Sequence, residues 1–305
     1  MKRPASRLNV LLLGAALLAG SASCKESCPT APDLGVPAPD QSVGQPDQPS
    51  WPSCKKDKVS CGAGERSAFG ICQGEATMAK VAAGELTMGL TEDGKPWSPE
   101  HKVTLKGFVL DLVEVTVAAY QACVDCGVCT APMRNGSNTG REPYFGNPAF
   151  ANHPVIYVTW KDAKTYCEAV GKRLPSEAEW EMAARGPSGS LYPWGATAPG
   201  AAQANFAGLT GDTEAVTSRE GGKAACGALN LAGNVWEWVA DGFDPGYYAS
   251  SPTSDPKGPT SASLKVARGG GFNSSAETLK AYYRIGYSEG TALSYLGFRC
   301  AKDAW

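Results

Sequence analysis

Apolar residues at Val117, Tyr120 and Val124 recur at helical spacing, so a helix is expected over residues 116–124. A second helix should begin after Thr159, which can cap it with Asp162 at the third position, and Gly171 follows its end. Leu174-Pro175 then halts the chain. Ser176 and Glu179 have capping-box spacing, which predicts a third helix through Ala184 with Gly186 just past it. Short runs that favour extended backbone flank these helices at 102–112, 155–158 and 265–268. Few helices, short strands and long connections indicate an α+β fold rather than alternating βαβ units.

Composition agrees with that reading. The 305 residues include 36 glycines and 22 prolines, which favour turns over long regular helices. At 43% hydrophobic residues, a sizeable core can form. A net charge of -2 gives no electrostatic reason to expect nucleic acid as a partner.

The first 23 residues have the form of an export signal. Lys2, Arg3 and Arg7 precede an apolar run at 8–20, and Ser21, Ala22 and Ser23 lead into Cys24. The run is shorter than the roughly 20 residues a spanning helix needs. Cys24 is the candidate site of lipidation, which would anchor the protein to a membrane; cleavage near Ala22 would instead leave it a thiol. Residues 24–53, rich in Pro, Asp, Gln and Ser, cannot bury enough apolar surface to offset their ordering entropy and are expected to form a tether. A small cysteine-bearing segment follows at 54–75, with a Cys61–Cys72 bridge expected. Folded-domain composition then runs over 76–303. The 11 cysteines suit an oxidising compartment, the periplasm or the cell surface.

A series of motifs within that domain carries a family resemblance. In order they are Met88-Gly89, Val103-Thr104-Leu105, Glu114-Val115-Thr116 and His153-Pro154-Val155. Then come Thr159-Trp160-Lys161-Asp162-Ala163, Arg173-Leu174-Pro175-Ser176-Glu177 and Tyr192-Pro193-Trp194-Gly195. Gly233-Asn234-Val235-Trp236-Glu237-Trp238, Arg268-Gly269-Gly270 and Gly297-Phe298-Arg299-Cys300 complete the series. The chain resembles the formylglycine-generating enzymes, or sulfatase-modifying-factor domains. The resemblance implies a fold distantly related to C-type lectins, and a bridge between Cys167 and Cys300.

Active members of that family oxidise a sulfatase cysteine through a Cu(I) site built from two cysteines that follow the Arg-Gly-Gly motif. Those positions fall on Ser274 and Leu279 here, a hydroxyl and an aliphatic chain, neither suited to a soft cation. Iron chemistry with two histidines and a carboxylate would have only His101 and His153 to draw on. Copper and iron are therefore not expected. The resemblance does imply Ca²⁺, through side-chain oxygens of Asn230 and Glu237 and the carbonyls of Gly233 and Val235. A second family Ca²⁺ loop would begin at Asn205-Phe206, with Asp212 close to its aspartate position.

Cys123, Cys126 and Cys129 lack a fourth ligand for zinc, so a Cys123–Cys129 bridge is expected, with Cys126 left to a distant partner such as Cys226. Trp160, Trp180 and Trp194 suit a core, and Trp194 is also a candidate for the substrate groove. Arg284 and Arg299 either line that groove or pair with buried carboxylates.

Three functions follow. The first is a lipid-anchored envelope module that binds a peptide, a glycan or a partner protein. The second is a periplasmic enzyme with altered metal chemistry, as in the pyoverdine-maturation branch of the family. The third is true sulfatase maturation.

Overall fold

The computed structural model describes residues 66–68, 71–73 and 77–304. The export signal, the tether, Cys24 and the expected Cys61–Cys72 bridge lie outside the described residues. The described chain opens with an antiparallel pair, β1 (Arg66–Ala68) and β2 (Ile71–Gln73). Next come β3 (Met78–Val81), β4 (Gly84–Met88), β5 (His101–Leu105) and β6 (Phe108–Asp111). The run at 102–112 was expected to be one extended segment. Instead it breaks at Lys106-Gly107, so that β5 pairs with β4 while β6 pairs with β3. In β4 and β5 the inward residues alternate, Leu86 opposite Val103, as a half-buried sheet requires.

All three expected helices are present: α1 (Val117–Asp125), α2 (Trp160–Ala169) and α3 (Glu177–Arg185). Thr116 caps α1. Thr159 with Asp162 and Ser176 with Glu179 form complete capping boxes, each satisfying N–H groups that the first turn would otherwise leave unpaired. The run at 155–158 is not a strand. It lies outside every ladder, and Tyr157 turns into the left-handed region at φ 58°.

The C-terminal third supplies β7 (Trp236–Phe243), β8 (Leu264–Arg268), β9 (Arg284–Ser288), β10 (Leu296–Phe298) and β11 (Ala301–Asp303). One sheet has the order β10-β7-β8-β9, its β10–β7 pair parallel; β11 joins β6 and β3 in another.

Two cores share these sheets. One gathers β4, β5 and α3 around Trp180; the other gathers α1, α2, β7 and β10 around Tyr120, Trp238 and Phe298. Helix α3 is buried from Glu177 to Ala184, which forces its three glutamates to find cations. Glu177 meets Arg268 and Arg284, Glu179 meets Arg173, and Glu181 meets Arg268 and Arg185.

Cys167 of α2 is bonded to Cys300 across a separation of 133 residues. On the loop-entropy model such a link destabilises the unfolded chain by about 4–5 kcal/mol. Cys123 is bonded to Cys129. Cys126 is disulfide-bonded too, but not to Cys226, which is a free, half-buried thiol.

Candidate functional site

Strand β8 ends at Arg268, and Gly269 and Gly270 then turn the chain with φ of 92° and 76°. The turn needs glycine for space as well as for conformation. A Cβ on Gly270 would stand 2.9 Å from Leu279 Cδ1 and 3.3 Å from Ser274 Cβ. The fold thus brings Ser274 and Leu279 together at the place a Gly270 side chain would take. Ser274 Oγ accepts the Gly271 N–H at 2.9 Å. Leu279 is 0% exposed and packs with Tyr192, Ala204 and Ala232. A Cu(I) centre does not fit this pair, because neither side chain carries a sulfur donor and one is a closed apolar contact. No step through copper follows.

Trp194 lies over the same apolar cluster. Its ring stacks on Tyr192 with centroids 5.2 Å apart and planes 2° from parallel, and its indole N–H donates to the Thr197 carbonyl. On the other side of the turn, Gly271 is pressed against Tyr295 and Trp236. A Cβ there would come within 3.2 Å of Tyr295 Cβ and 3.4 Å of Trp236 Cδ1. Trp194, Tyr295 and Trp236 therefore frame the Gly270 turn.

Arg284 and Arg299 are not groove residues. Arg284 donates from Nε and Nη2 to the two oxygens of Glu177, at 2.7 and 2.8 Å, and from Nη1 to the Pro96 and Asp244 carbonyls. Arg299 holds Glu237 in the same two-pronged way and also donates to the carbonyls of Asp111 and Leu229. Both guanidiniums are buried. They neutralise carboxylates that could not otherwise stay charged there.

That pairing bears on the calcium expectation. Both oxygens of Glu237 face N–H donors, one from Arg299 and the other from Arg299 and the Trp180 indole. Asn230 and Asn234 sit at φ 56° and 64°, and their amide nitrogens donate to the two oxygens of Glu114. The loop that carries Gly233 and Val235 is thus braced by a buried carboxylate, and its one family acid is spent on a guanidinium. A hard cation would have to displace Arg299, so the residues as placed do not fit Ca²⁺. The loop starting at Asn205 is similarly closed. Asp212 accepts from Ser137 Oγ and from Thr139 and Thr213, and these bonds hold its pKa below the ordinary value despite burial.

Among the described residues no group of three His, Cys, Asp or Glu is placed to hold a metal ion. His153 lies beside Thr213, and burial lowers its pKa. His101 packs edge-on against Tyr248. The free Cys226 lines a cavity of about 400 Å³ between the β3–β4 turn and α3, well apart in its lining residues from the Gly270 turn. Burial pushes its thiol pKa up, so it is a weak nucleophile near neutral pH.

Glu114 belongs to a motif read only as a family marker, yet it is the brace of the whole loop. Burial, opposed by Arg299 and assisted by Glu237, raises its pKa to about 7. Tyr295 had no sequence signal at all. Its role depends on the tertiary approach of the segment before β10 to Gly271.

Residues 70–304 match the sulfatase-modifying factor enzyme 1-like domain family. The match starts slightly before residue 76, where composition alone placed the start of the domain. A formylglycine-generating enzyme of Streptomyces coelicolor is 33% identical over 285 residues, covering 74% of this chain and 88% of that protein. Among solved structures, Treponema denticola variable protein 1 is similar with a TM-score of 0.63 and 25% identity, covering 74% of this chain and 95% of that one. PvdO from Pseudomonas aeruginosa is similar with a TM-score of 0.62 and 26% identity, covering 74% and 94%.

Proposed function

The chain belongs to the sulfatase-modifying factor enzyme 1-like family, and from that premise we propose that it is an exported, lipid-anchored binding module that does not generate formylglycine. The observation that carries this reading is the Gly270 turn, where Ser274 and a fully buried Leu279 stand in the place of two thiolates. Cysteine oxidation by this family's chemistry requires a soft-donor pair that holds Cu(I) beside the substrate thiolate. Here the turn presents one hydroxyl, already bonded to the Gly271 N–H, and an apolar side chain. What the fold retains is a rigid frame with aromatic walls, and such frames bind.

Export and anchoring rest on the basic and apolar leader and on Cys24 after Ala22-Ser23. The Cys123–Cys129 and Cys167–Cys300 bridges support an oxidising compartment. The partner would be a peptide, a glycan or another envelope protein.

The test is oxygen uptake by the purified protein with Cu(I) and a Cys-x-Pro-x-Arg peptide, alongside metal analysis. The expected result is no uptake above the peptide and copper control, and no stoichiometric metal. Turnover would restore the sulfatase-maturing reading, and stoichiometric iron or copper would favour an enzyme with altered chemistry.

A further inference from the structure

A strip of half-exposed aromatic rings runs away from Tyr295, with a cation at each end. At one end Lys265 of β8 stands directly opposite Tyr287 of β9, and its Nζ lies 4.0 Å from the centre of the Trp160 ring. Trp160 is fixed there by its indole bond to the Val239 carbonyl and by its backbone N–H, which donates to the Glu289 carbonyl. In the middle, the Tyr287 and Tyr295 phenols are close enough to raise the pKa of Tyr287, after burial. At the far end Tyr157 donates its N–H to the Leu293 carbonyl, two residues from Tyr295, and the Arg134 guanidinium lies 5.8 Å from the Tyr157 ring. At the Trp160 end lie two acids, Glu289, which is exposed, and Asp162, whose carboxylate is engaged by the Thr159 N–H and hydroxyl. Neither Arg134 nor Lys265 forms an ion pair among the described residues.

Tyr157 is the unusual member. A bulky residue at φ 58° is strained by about 1–3 kcal/mol, and such strain persists where the surroundings hold a side chain in a needed place. Here the ring packs one side against the small core of Val117, Tyr144, Ile156 and Val235 and stays half-exposed beside Arg134.

The chemistry of the strip selects its ligand. Aromatic faces are electron-rich and pack well against the weakly positive C–H faces of sugar rings. The phenol hydroxyls of Tyr287 and Tyr295 both donate and accept, as sugar hydroxyls require. Ring faces set in a fixed frame lose little side-chain entropy on binding. The terminal cations add a preference for carboxylate or sulfate groups on the sugar.

We propose that the strip from Trp160 and Lys265 through Tyr287 and Tyr295 to Tyr157 and Arg134 binds an acidic oligosaccharide. This rests on the binding-module reading and names its ligand class.

The experiment is calorimetric titration of the full mature chain with oligogalacturonate, its methyl-esterified neutral counterpart and chondroitin sulfate. At least one acidic probe should bind, and the neutral ester should bind about tenfold more weakly. Affinity should fall as ionic strength rises toward about 0.5 M. Lys265→Met and Tyr157→Asn should each weaken binding roughly fivefold with the unfolding midpoint retained, since asparagine tolerates the left-handed backbone. Failure of both acidic probes to bind, equal affinity for the neutral ester, or indifference to both substitutions would overturn the proposal. Oxygen uptake on the same preparation reports on the non-catalytic reading by itself, so the two ideas fail separately.

Discussion

Arg299 closes on Glu237 with two parallel bonds of 2.7 and 2.8 Å, and neither side chain has any exposed surface. The pair joins the last strands to the loop at 230–237 and occupies the acid that a calcium ion would use. Removing only the cation leaves a buried carboxylate with the Trp180 indole as its remaining donor among the described residues. Arg299→Met should therefore cost about 3–5 kcal/mol in urea unfolding. Millimolar Ca²⁺ or EDTA should leave the wild-type midpoint unmoved. A calcium-dependent rise in the midpoint would show that the ion displaces or shares with Arg299.

Asp241 sets a pH dependence. Burial, and then the nearby Glu177, raise its pKa from the ordinary carboxylate range to about 7. Between the unfolded value near 3.8 and about 7, the folded state holds a proton that the unfolded chain has released. Stability from this group is therefore complete at the acid end of that window and is lost as pH rises through 7. Glu114 acts in the same direction. Asp241→Asn should flatten the fall in unfolding free energy between about pH 4 and pH 7 and leave the variant more stable at the alkaline end.

The helices were legible because their ends are written in local chemistry: Thr159 with Asp162 and Ser176 with Glu179 specify where each first turn begins. Strand β7 was not. Its WEWVADGF sequence is buried on both faces for most of its length, so it shows no alternation. The apolar run at 155–158 reads as a strand from composition, and only the tertiary hold on Tyr157 shows otherwise. At the site, counting from Gly270 led to Ser274 and Leu279, which the turn does bring close together. It could not reveal that Leu279 is sealed into a cluster, because the partners Tyr192, Ala204 and Ala232 come from distant segments. The same limit applied to Arg284 and Arg299, whose pairing with Glu177 and Glu237 spans 107 and 62 residues.

Cys226 should be the slow thiol of the folded domain. It is half-buried, its sulfur contacts the Ala183 carbonyl at 3.5 Å, and burial disfavours its thiolate. Alkylation of native, unreduced protein near neutral pH should label it well below the rate of a free cysteine peptide. Denaturation without reductant should then release it, while Cys123, Cys129, Cys167 and Cys300 stay unlabelled until reduced. Peptide mapping that finds Cys226 in a bridge would refute this.

The Gly270 turn can be asked to regain what it lacks. Ser274 and Leu279 both approach the place where a Gly270 Cβ would be, at 3.3 and 2.9 Å, so cysteines at the two positions would start from neighbouring backbone sites. A pair of thiolates on such neighbouring sites suits a soft monovalent ion. The double variant Ser274→Cys with Leu279→Cys should bind one Cu(I) in competition with a chelating dye, under conditions where wild type binds none. Its stability should fall by about 1–3 kcal/mol, because the smaller side chain at 279 leaves part of the Tyr192 and Ala232 contact unfilled. If the variant folds and still takes up no copper, the two positions are not equivalent to a thiolate pair, and the missing sulfurs alone do not explain the absence of a copper site.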